Sequence, residues 1–278
     1  MAESVLVGAV RKVVIPAGGL GTRLAPLTHL MPKEMLPLGN HVVLQHVLVE
    51  CDSAGLDAAL VVLNRRKTAL FAVGEETPCP EDPDTGVPLR QVYFANQVRQ
   101  GGLAHAILHA EAFVGTDNFA VALGDTVIHG GADSPLLVRM IAAHREHRAA
   151  ATVAAQWIPD ERISRYGVFE PVEPLAIEQP ASVIGTPFRA RRIVEKPSVN
   201  QAPSRFAVTA RYVFSARIFE ACRRCARHAS GEIELTEAIS WLAAQGETVL
   251  GVPLAPGERR LDIGNPQSYA EAFALLAG

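Results

Sequence analysis

The chain has 278 residues, 49% of them hydrophobic and 20% charged, proportions of a globular rather than a disordered protein. Its net charge of −3 offers no broad cationic field, which excludes nucleic acid as an expected partner and leaves any nucleotide ligand to a local basic pocket. Four cysteines, at 51, 79, 222 and 225, are too unevenly placed for a disulfide framework. With no leader-like segment and no apolar run of about 18 residues, the expected setting is cytoplasmic, with no membrane partner.

Lys12 to Ile15 is a β-branched run that predicts a strand, and Ala17-Gly-Gly-Leu-Gly21 follows it as a glycine-dense turn. From His41 to Ala54, apolar residues at 43, 44, 47, 48 and 51 keep helical spacing, and Gly55 suits the C′ position. Ala58 to Leu63 is an uninterrupted apolar strand, implying burial on both faces and the β-loop-α-β opening of a parallel sheet. Gly74 to Pro88, loaded with Pro, Asp, Glu and Gly, reads as a surface excursion. A strand over Arg90 to Ala95 leads to a helix from about Gly102 to Phe113, whose glycine pair presents free N–H groups.

Phe119 to Ile128 reads as a buried strand interrupted by Asp125 beside Gly124. Such a carboxylate is costly unless paired or metal-bound, and Mg²⁺ is its expected partner. Leu136 to His147 predicts a helix, Ala150 to Trp157 a strand, and Ser164 to Glu170 a strand with Gly167 in its middle, a mark of close backbone or ligand approach. A loop or hairpin tip over Pro171 to Pro187 precedes a strand at Ala190 to Val194, which delivers Glu195-Lys196-Pro197. The remainder reads as a strand (Phe206 to Phe214), two helices (Ala216 to His228, Glu232 to Gln245), a strand (Thr248 to Val252), a turn at Leu261-Asp262-Ile-Gly-Asn-Pro266, and a last helix.

Glycines at 18, 19 and 21 let backbone N–H groups converge on phosphate oxygens, while Arg23 supplies a planar fork and Lys33 a point charge. Together they read as a polyphosphate cradle. Walker A fails, because Thr22-Arg23 follows the last glycine where Lys-Ser/Thr would stand, and the dinucleotide GxGxxG fails on spacing and on Pro26. The stretch PAGGLGTRLAPLT, followed by PKEMLPL, resembles the signature of sugar-1-phosphate nucleotidylyltransferases, most closely the uridylyltransferases and their thymidylyltransferase cousins.

The resemblance covers roughly residues 12 to 275 and implies an α/β, Rossmann-like nucleotidyltransferase fold, a mixed, mainly parallel sheet flanked by helices. It implies one domain over 1–278, with a nucleotide half to about residue 125 and a sugar half from about 126. The implied reaction is attack of a sugar 1-phosphate on the α-phosphorus of a nucleoside triphosphate, Mg²⁺-dependent, releasing pyrophosphate. Carried over, Arg23 and Lys33 stabilise the departing pyrophosphate, and Ala17, Gly18, Gly19, Gly21, Thr22 and Gly102 line the nucleotide. Asp125 and Asp262 match the metal carboxylates. Lys196 matches the sugar-phosphate ligand, Glu195 the acceptor for sugar hydroxyls, and Gly167 the backbone position beside the sugar. Gln97 falls where the family reads a pyrimidine edge, its amide matching the N3–H and carbonyl of uracil or thymine. Glu34, in place of the glutamine usual in thymidylyltransferases, favours UTP. Homo-oligomers follow by analogy alone.

Several residues depart from that pattern. Gly-Asp-Thr at 124–126 is nearer the thymidylyl type, Pro16-Ala-Gly-Gly is intermediate, Ala210 replaces a usual glycine, and the excursion at 64–90 is short. Glucose-1-phosphate thymidylyl transfer, or another pyrimidine donor and sugar, therefore stays open, as does a non-catalytic nucleotide-sugar-binding regulator. No hexapeptide repeat signals a second acyl-transfer activity. Cys222-Arg-Arg-Cys225 lies within a predicted helix without a second CxxC and reads as structural, and no catalytic metal site is expected from the nine histidines.

Overall fold

The β-branched run at the start of the chain forms β1 (Lys12–Pro16), its residues alternating between two apolar layers: Val14 faces one, Val13 and Ile15 the other. The computed structural model describes residues 9–71, 91–130, 134–173, 175, 186–225 and 231–276. After β1 come α1 (Leu27–Leu30), β2 (Pro37–Leu38), β3 (His41–Val42), α2 (Val43–Ser53), β4 (Ala58–Asn64), α3 (Arg65–Phe71), β5 (Gln91–Gln97), α4 (Gly102–Leu108), α5 (Glu111–Val114), β6 (Phe119–Ala122) and β7 (Thr126–His129). Then follow α6 (Leu136–Glu146), β8 (Ala151–Trp157), β9 (Gly167–Pro171), β10 (Phe188–Glu195), β11 (Phe206–Phe214), α7 (Arg217–Arg224), α8 (Leu235–Ala244), β12 (Val249–Pro253), β13 (Arg259–Asp262) and α9 (Pro266–Leu276).

The main sheet runs β5-β4-β1-β6-β11-β8-β12-β10-β9. Its neighbours alternate between parallel and antiparallel blocks, yet only β10 and β11 run against the other strands, so the sheet is mixed and mainly parallel by direction. Helices α4, α7 and α8 cover one face and α2 and α6 the other, as a sheet apolar on both sides requires. Phe119, fully buried, stacks on Phe219 at 5.3 Å; burying one such ring contributes about 1.5–3 kcal/mol. Among the described residues no helix is long and apolar enough to cross a membrane.

Three expectations need correction. The strand expected over 119–128 is two strands: the chain leaves the main sheet at Gly124, whose N–H donates to Pro16 O, and Thr126–His129 pairs instead with Arg259–Asp262. A side chain at 124 would meet Ile15, Ala17 and Glu34 within 3.2–3.4 Å, which accounts for glycine at the crossing. The helix expected over 102–113 ends at Leu108, where His109 and Ala110 donate to the third carbonyl back, and a separate turn follows. Gly167 opens its strand rather than interrupting one, because Asp160–Arg165 coils into a 3₁₀ helix. The excursion at 74–88, Cys79, most of the segment 171–187 and the end of the helix expected to reach His228 lie outside the described residues.

Candidate active site

From β1 the chain crosses through α2 to β4 on one side, and from β5 it returns through α4 to β6 on the other. That reversal opens a crevice beyond the carboxyl end of β1, the place where open α/β sheets bind ligands. The glycine turn lies there, lining a cavity of about 550 Å³ with Lys33, Glu34, Gln97, Gly102, Asp125 and Glu232. The turn is tied down from behind: Ala17 N–H donates to Val62 O at 2.8 Å, and Gly18 O accepts from Asn64 Nδ2 at 2.7 Å and Gln100 Nε2 at 3.2 Å. Gly21 has φ +68°, a left-handed conformation that favours glycine, and its carbonyl accepts from Thr28 Oγ1 at 2.9 Å. Thr22 and Arg23 follow in a 3₁₀ turn with both side chains exposed.

Lys33 and Asp125 form an ion pair at the floor of the crevice, with side chains 12% and 24% exposed. Burial works against the Lys33 ammonium, but Asp125, Glu34 and Asp262 outweigh it and hold its pKa above the ordinary value. Asp125 likewise resists burial, because Lys33 and Arg260 keep its pKa below the usual carboxylate range. The carboxylate expected to need a metal therefore has a protein partner already. Asp262 reaches the same place through the β7–β13 ladder: it pairs with Thr126, and Ile263 N–H donates to Asp125 O at 2.9 Å. Gly264 keeps the corner open, since a Cβ there would stand 3.1 Å from Asp262 and 3.4 Å from Arg23. Two carboxylates with hard oxygens suit Mg²⁺, which takes one or two such ligands and completes its shell with phosphate and water.

Glu34 faces inward. It is 1% exposed, with its two oxygens 2.7 and 2.6 Å from Lys67 Nζ, which also donates to Ala17 O at 2.7 Å. Burial pushes the Glu34 carboxyl up and the Lys67 ammonium down, each pulled back by the other. Glu34 thus anchors Lys67 beneath the glycine turn while also lining the cavity. Gln97, at the end of β5 and 4% exposed, donates from Nε2 to Gly102 O at 3.2 Å and to His105 Nδ1 at 2.9 Å. Its Oε1 stands 2.9 Å from the point a Cβ on Gly18 would occupy, facing the cavity as an acceptor. Gly102 takes φ +83° at the opening of α4, and Ile233 N–H donates to Gly101 O at 3.1 Å.

At the end of β10, Glu195 pairs in register with Gly167 and accepts from Thr236 Oγ1 at 2.8 Å. A Cβ at Gly167 would press on Thr236 at 2.8 Å and on Glu195 at 3.1 Å. Lys196 Nζ lies 3.1 Å from Glu195, and that bond, with the charges of Glu195, Glu234 and Glu232, raises its pKa. Gly167, Glu195 and Lys196 do not themselves line the cavity of the glycine turn; Glu232, which does, lies close enough for its charge to act on Lys196. Ala210 turns into the core at 3% exposure, its carbonyl taking Leu123 N–H, so it lines the seam between β6 and β11 rather than the sugar wall.

Sequence reasoning missed Lys67, Thr236 and Arg211. Only Arg211 carried a signal, an arginine inside the apolar run Phe206–Phe214, hence a buried cation needing partners. It is fully buried, forks onto Glu50 at 2.9 and 2.7 Å and donates to Thr126 O at 2.9 Å, fixing the backbone beside Asp125. His105 and His109 stand four residues apart, and their rings meet at 4.7 Å. His109 Nδ1 donates to His105 O, and among the described residues no group of three or more side chains could hold a metal through them.

A glycine turn with Lys33 and Asp125 beneath it, Asp262 brought beside them and all of it at the reversal of an open α/β sheet, is the arrangement of a nucleotide-dependent transferase. The chain belongs to the nucleotidyl transferase family, whose model matches residues 12–277. It is 33% identical over 282 residues to a UTP–glucose-1-phosphate uridylyltransferase of Mycoplasma pneumoniae, covering 96% of this chain and 92% of that protein. A UDP-glucose pyrophosphorylase complexed with UDP-glucose superposes with a TM-score of 0.80 at 27% identity, over 96% of this chain and 98% of that one. A UTP-bound UGPase from Acinetobacter baumannii gives a TM-score of 0.79 at 27% identity, over 96% and 93%.

Proposed function

We propose that the protein transfers a uridylyl group from UTP to a hexose 1-phosphate, most simply glucose 1-phosphate, giving UDP-sugar and pyrophosphate. The observation that carries this reading is the convergence of Asp125, Asp262 and Lys33 at the mouth of the glycine turn. Two polyanions must meet there, so the task is positioning and charge neutralisation rather than covalent catalysis. The N–H groups of the turn and Arg23 hold the triphosphate, and Lys33 shares its charge between Asp125 and the phosphates. Asp125 and Asp262 would hold Mg²⁺, which supplies further neutralisation of the developing charge. Lys196 meets the sugar phosphate and Glu195, oriented by Thr236, accepts from sugar hydroxyls. Gln97 Oε1 matches the N3–H donor of uracil and meets only an acceptor at N3 of cytosine. The similarity to uridylyltransferases along 96% of the chain favours UTP over dTTP. The strands of residues 12–122 form one side of the sheet and those of 151–253 the other, which supports the division into nucleotide and sugar halves.

The test is pyrophosphate release with Mg²⁺ and glucose 1-phosphate across UTP, dTTP, CTP, ATP and GTP, then a panel of hexose 1-phosphates with the best nucleotide. Preference for UTP and loss of turnover in Asp262→Ala are expected. Binding of UDP-glucose without pyrophosphate release from any pair would replace the enzyme with a nucleotide-sugar sensor.

A further inference from the structure

Beyond the crevice lies a second cavity, of about 780 Å³, that meets the first at Arg23, Leu123 and Asp125. Its walls come from the 3₁₀ turn before β9, from β13 and from α9, and they carry Arg162, Arg165, Arg259 and Arg260 in addition to Arg23. We propose that this cavity is a second anion subsite, which takes the phosphoanion travelling between solvent and the reacting centre. The inference rests on the nucleotidyl-transfer reading and extends it to residues that reading does not use.

Two observations support it. The guanidinium groups lack anionic partners in unusual number: among the described residues, Arg23, Arg165 and Arg259 make no hydrogen bond or ion pair, and Arg162 donates only to the Tyr166 hydroxyl, at 2.9 Å. Of the four carboxylates in the lining, Asp125 is engaged by Lys33, Glu258 by Arg139 at 2.8 Å and Asp262 by Arg260 at 3.5 Å, while Glu271 accepts from Gln267 Nε2 at 3.0 Å, so the five arginines still outnumber them. Arg260 is held over the Tyr166 ring at 5.4 Å and reaches Asp262 only at 3.5 Å, leaving its Nε buried without a partner. A cavity that gathers arginines and leaves them unpaired next to the metal carboxylates is complementary to a phosphate-bearing ligand, which guanidinium forks grip bidentately. Pyrophosphate is favoured over sugar 1-phosphate, because Arg23 stands in both cavities and joins this one to the glycine turn that holds the triphosphate.

The test uses Arg165→Gln/Arg259→Gln, two exposed positions where neutralisation leaves nothing buried unpaired. Calorimetric binding of pyrophosphate with Mg²⁺ is expected to weaken by about tenfold or more in the double variant. In the reverse reaction the KM for pyrophosphate should rise to match, with the KM for UDP-glucose unchanged. A rise confined to the KM for glucose 1-phosphate would keep the subsite and assign it to the incoming sugar phosphate. Unchanged binding and unchanged KM values would overturn the subsite. Wild-type protein that neither releases nor consumes pyrophosphate would instead overturn the transfer reading, while the binding measurement stays readable.

Discussion

Lys67 offers the sharpest energetic test, because a fully buried charge pair sits directly under the ligand loop. Its ammonium donates to both oxygens of Glu34 and to Ala17 O, and the two side chains are 5% and 1% exposed. Lys67→Met leaves a carboxylate buried without its cation, a change that costs about 3–5 kcal/mol when one partner of such a pair is removed. The sign with pH follows from Glu34, whose carboxyl burial already pushes up. In the variant, stability is retained below the ordinary glutamate pKa and lost as pH rises through the elevated one, so acidification rescues it. Lys67→Met/Glu34→Gln removes both charges and should recover stability to within about 1 kcal/mol of wild type. Its KM for UTP should stay elevated, since Ala17 O still lacks its donor and the turn is loosened. Urea midpoints by circular dichroism at pH 5 and pH 8, with KM measured alongside, read both effects. A single variant that loses less than about 1 kcal/mol, or a double variant no more stable than the single, would refute the account.

Other positions separate nucleotide from sugar. Gly18→Ala would place a methyl 2.9 Å from Gln97 Oε1, so KM for UTP should rise about tenfold with KM for glucose 1-phosphate unchanged, as steady-state kinetics would report. Gly167→Ala presses on Thr236 and Glu195 instead and should raise the KM for the sugar phosphate alone. His144, 1% exposed, has its pKa lowered to about 4 by burial. The native state refuses a proton that the unfolded chain accepts near pH 6.5, so stability falls as pH drops from about 6.5 to 4, by about 3 kcal/mol for this group. His144→Phe should flatten that part of the stability profile, and an unaltered slope would show that other groups set it.

The elements that were legible in the sequence are those whose own residues decide them. The β1 run, the 43–53 helix and the 58–63 strand follow from local periodicity, and the glycine turn follows because few other residues allow a backbone to be approached so closely. Asp125 stands out in the sequence and its surroundings do not. Nothing near residue 125 announces that the next four residues pair with a strand more than 130 positions later, and that non-local pairing brings Asp262 into the site. The same holds for Glu34, whose partner is remote in sequence: Lys67 sits in the first turn of α3, and only the fold brings it beneath Ala17. Long-range partners of charged residues are a property of the tertiary structure, which is why the cradle was readable and its supports were not.

Lys196 shows how such a site is held at some expense of stability. Glu195 stays in the β9–β10 ladder opposite Gly167, while Lys196 N–H donates to Tyr166 O at 3.1 Å and its backbone turns to φ +44°, a left-handed conformation that a side chain with a Cβ adopts at a cost of about 1–2 kcal/mol. The turn aims the ammonium alongside Glu195 instead of letting it continue down the strand. If that geometry is maintained for function, relieving it should stabilise the protein without restoring chemistry. Lys196→Gly is therefore expected to unfold at a higher urea concentration than Lys196→Ala, by about 1 kcal/mol, while both lose turnover with glucose 1-phosphate. Because both variants lack the ammonium, the difference between them isolates the backbone. Equal stabilities would mean that the left-handed turn is unstrained in this setting and that lysine stands there for its charge alone.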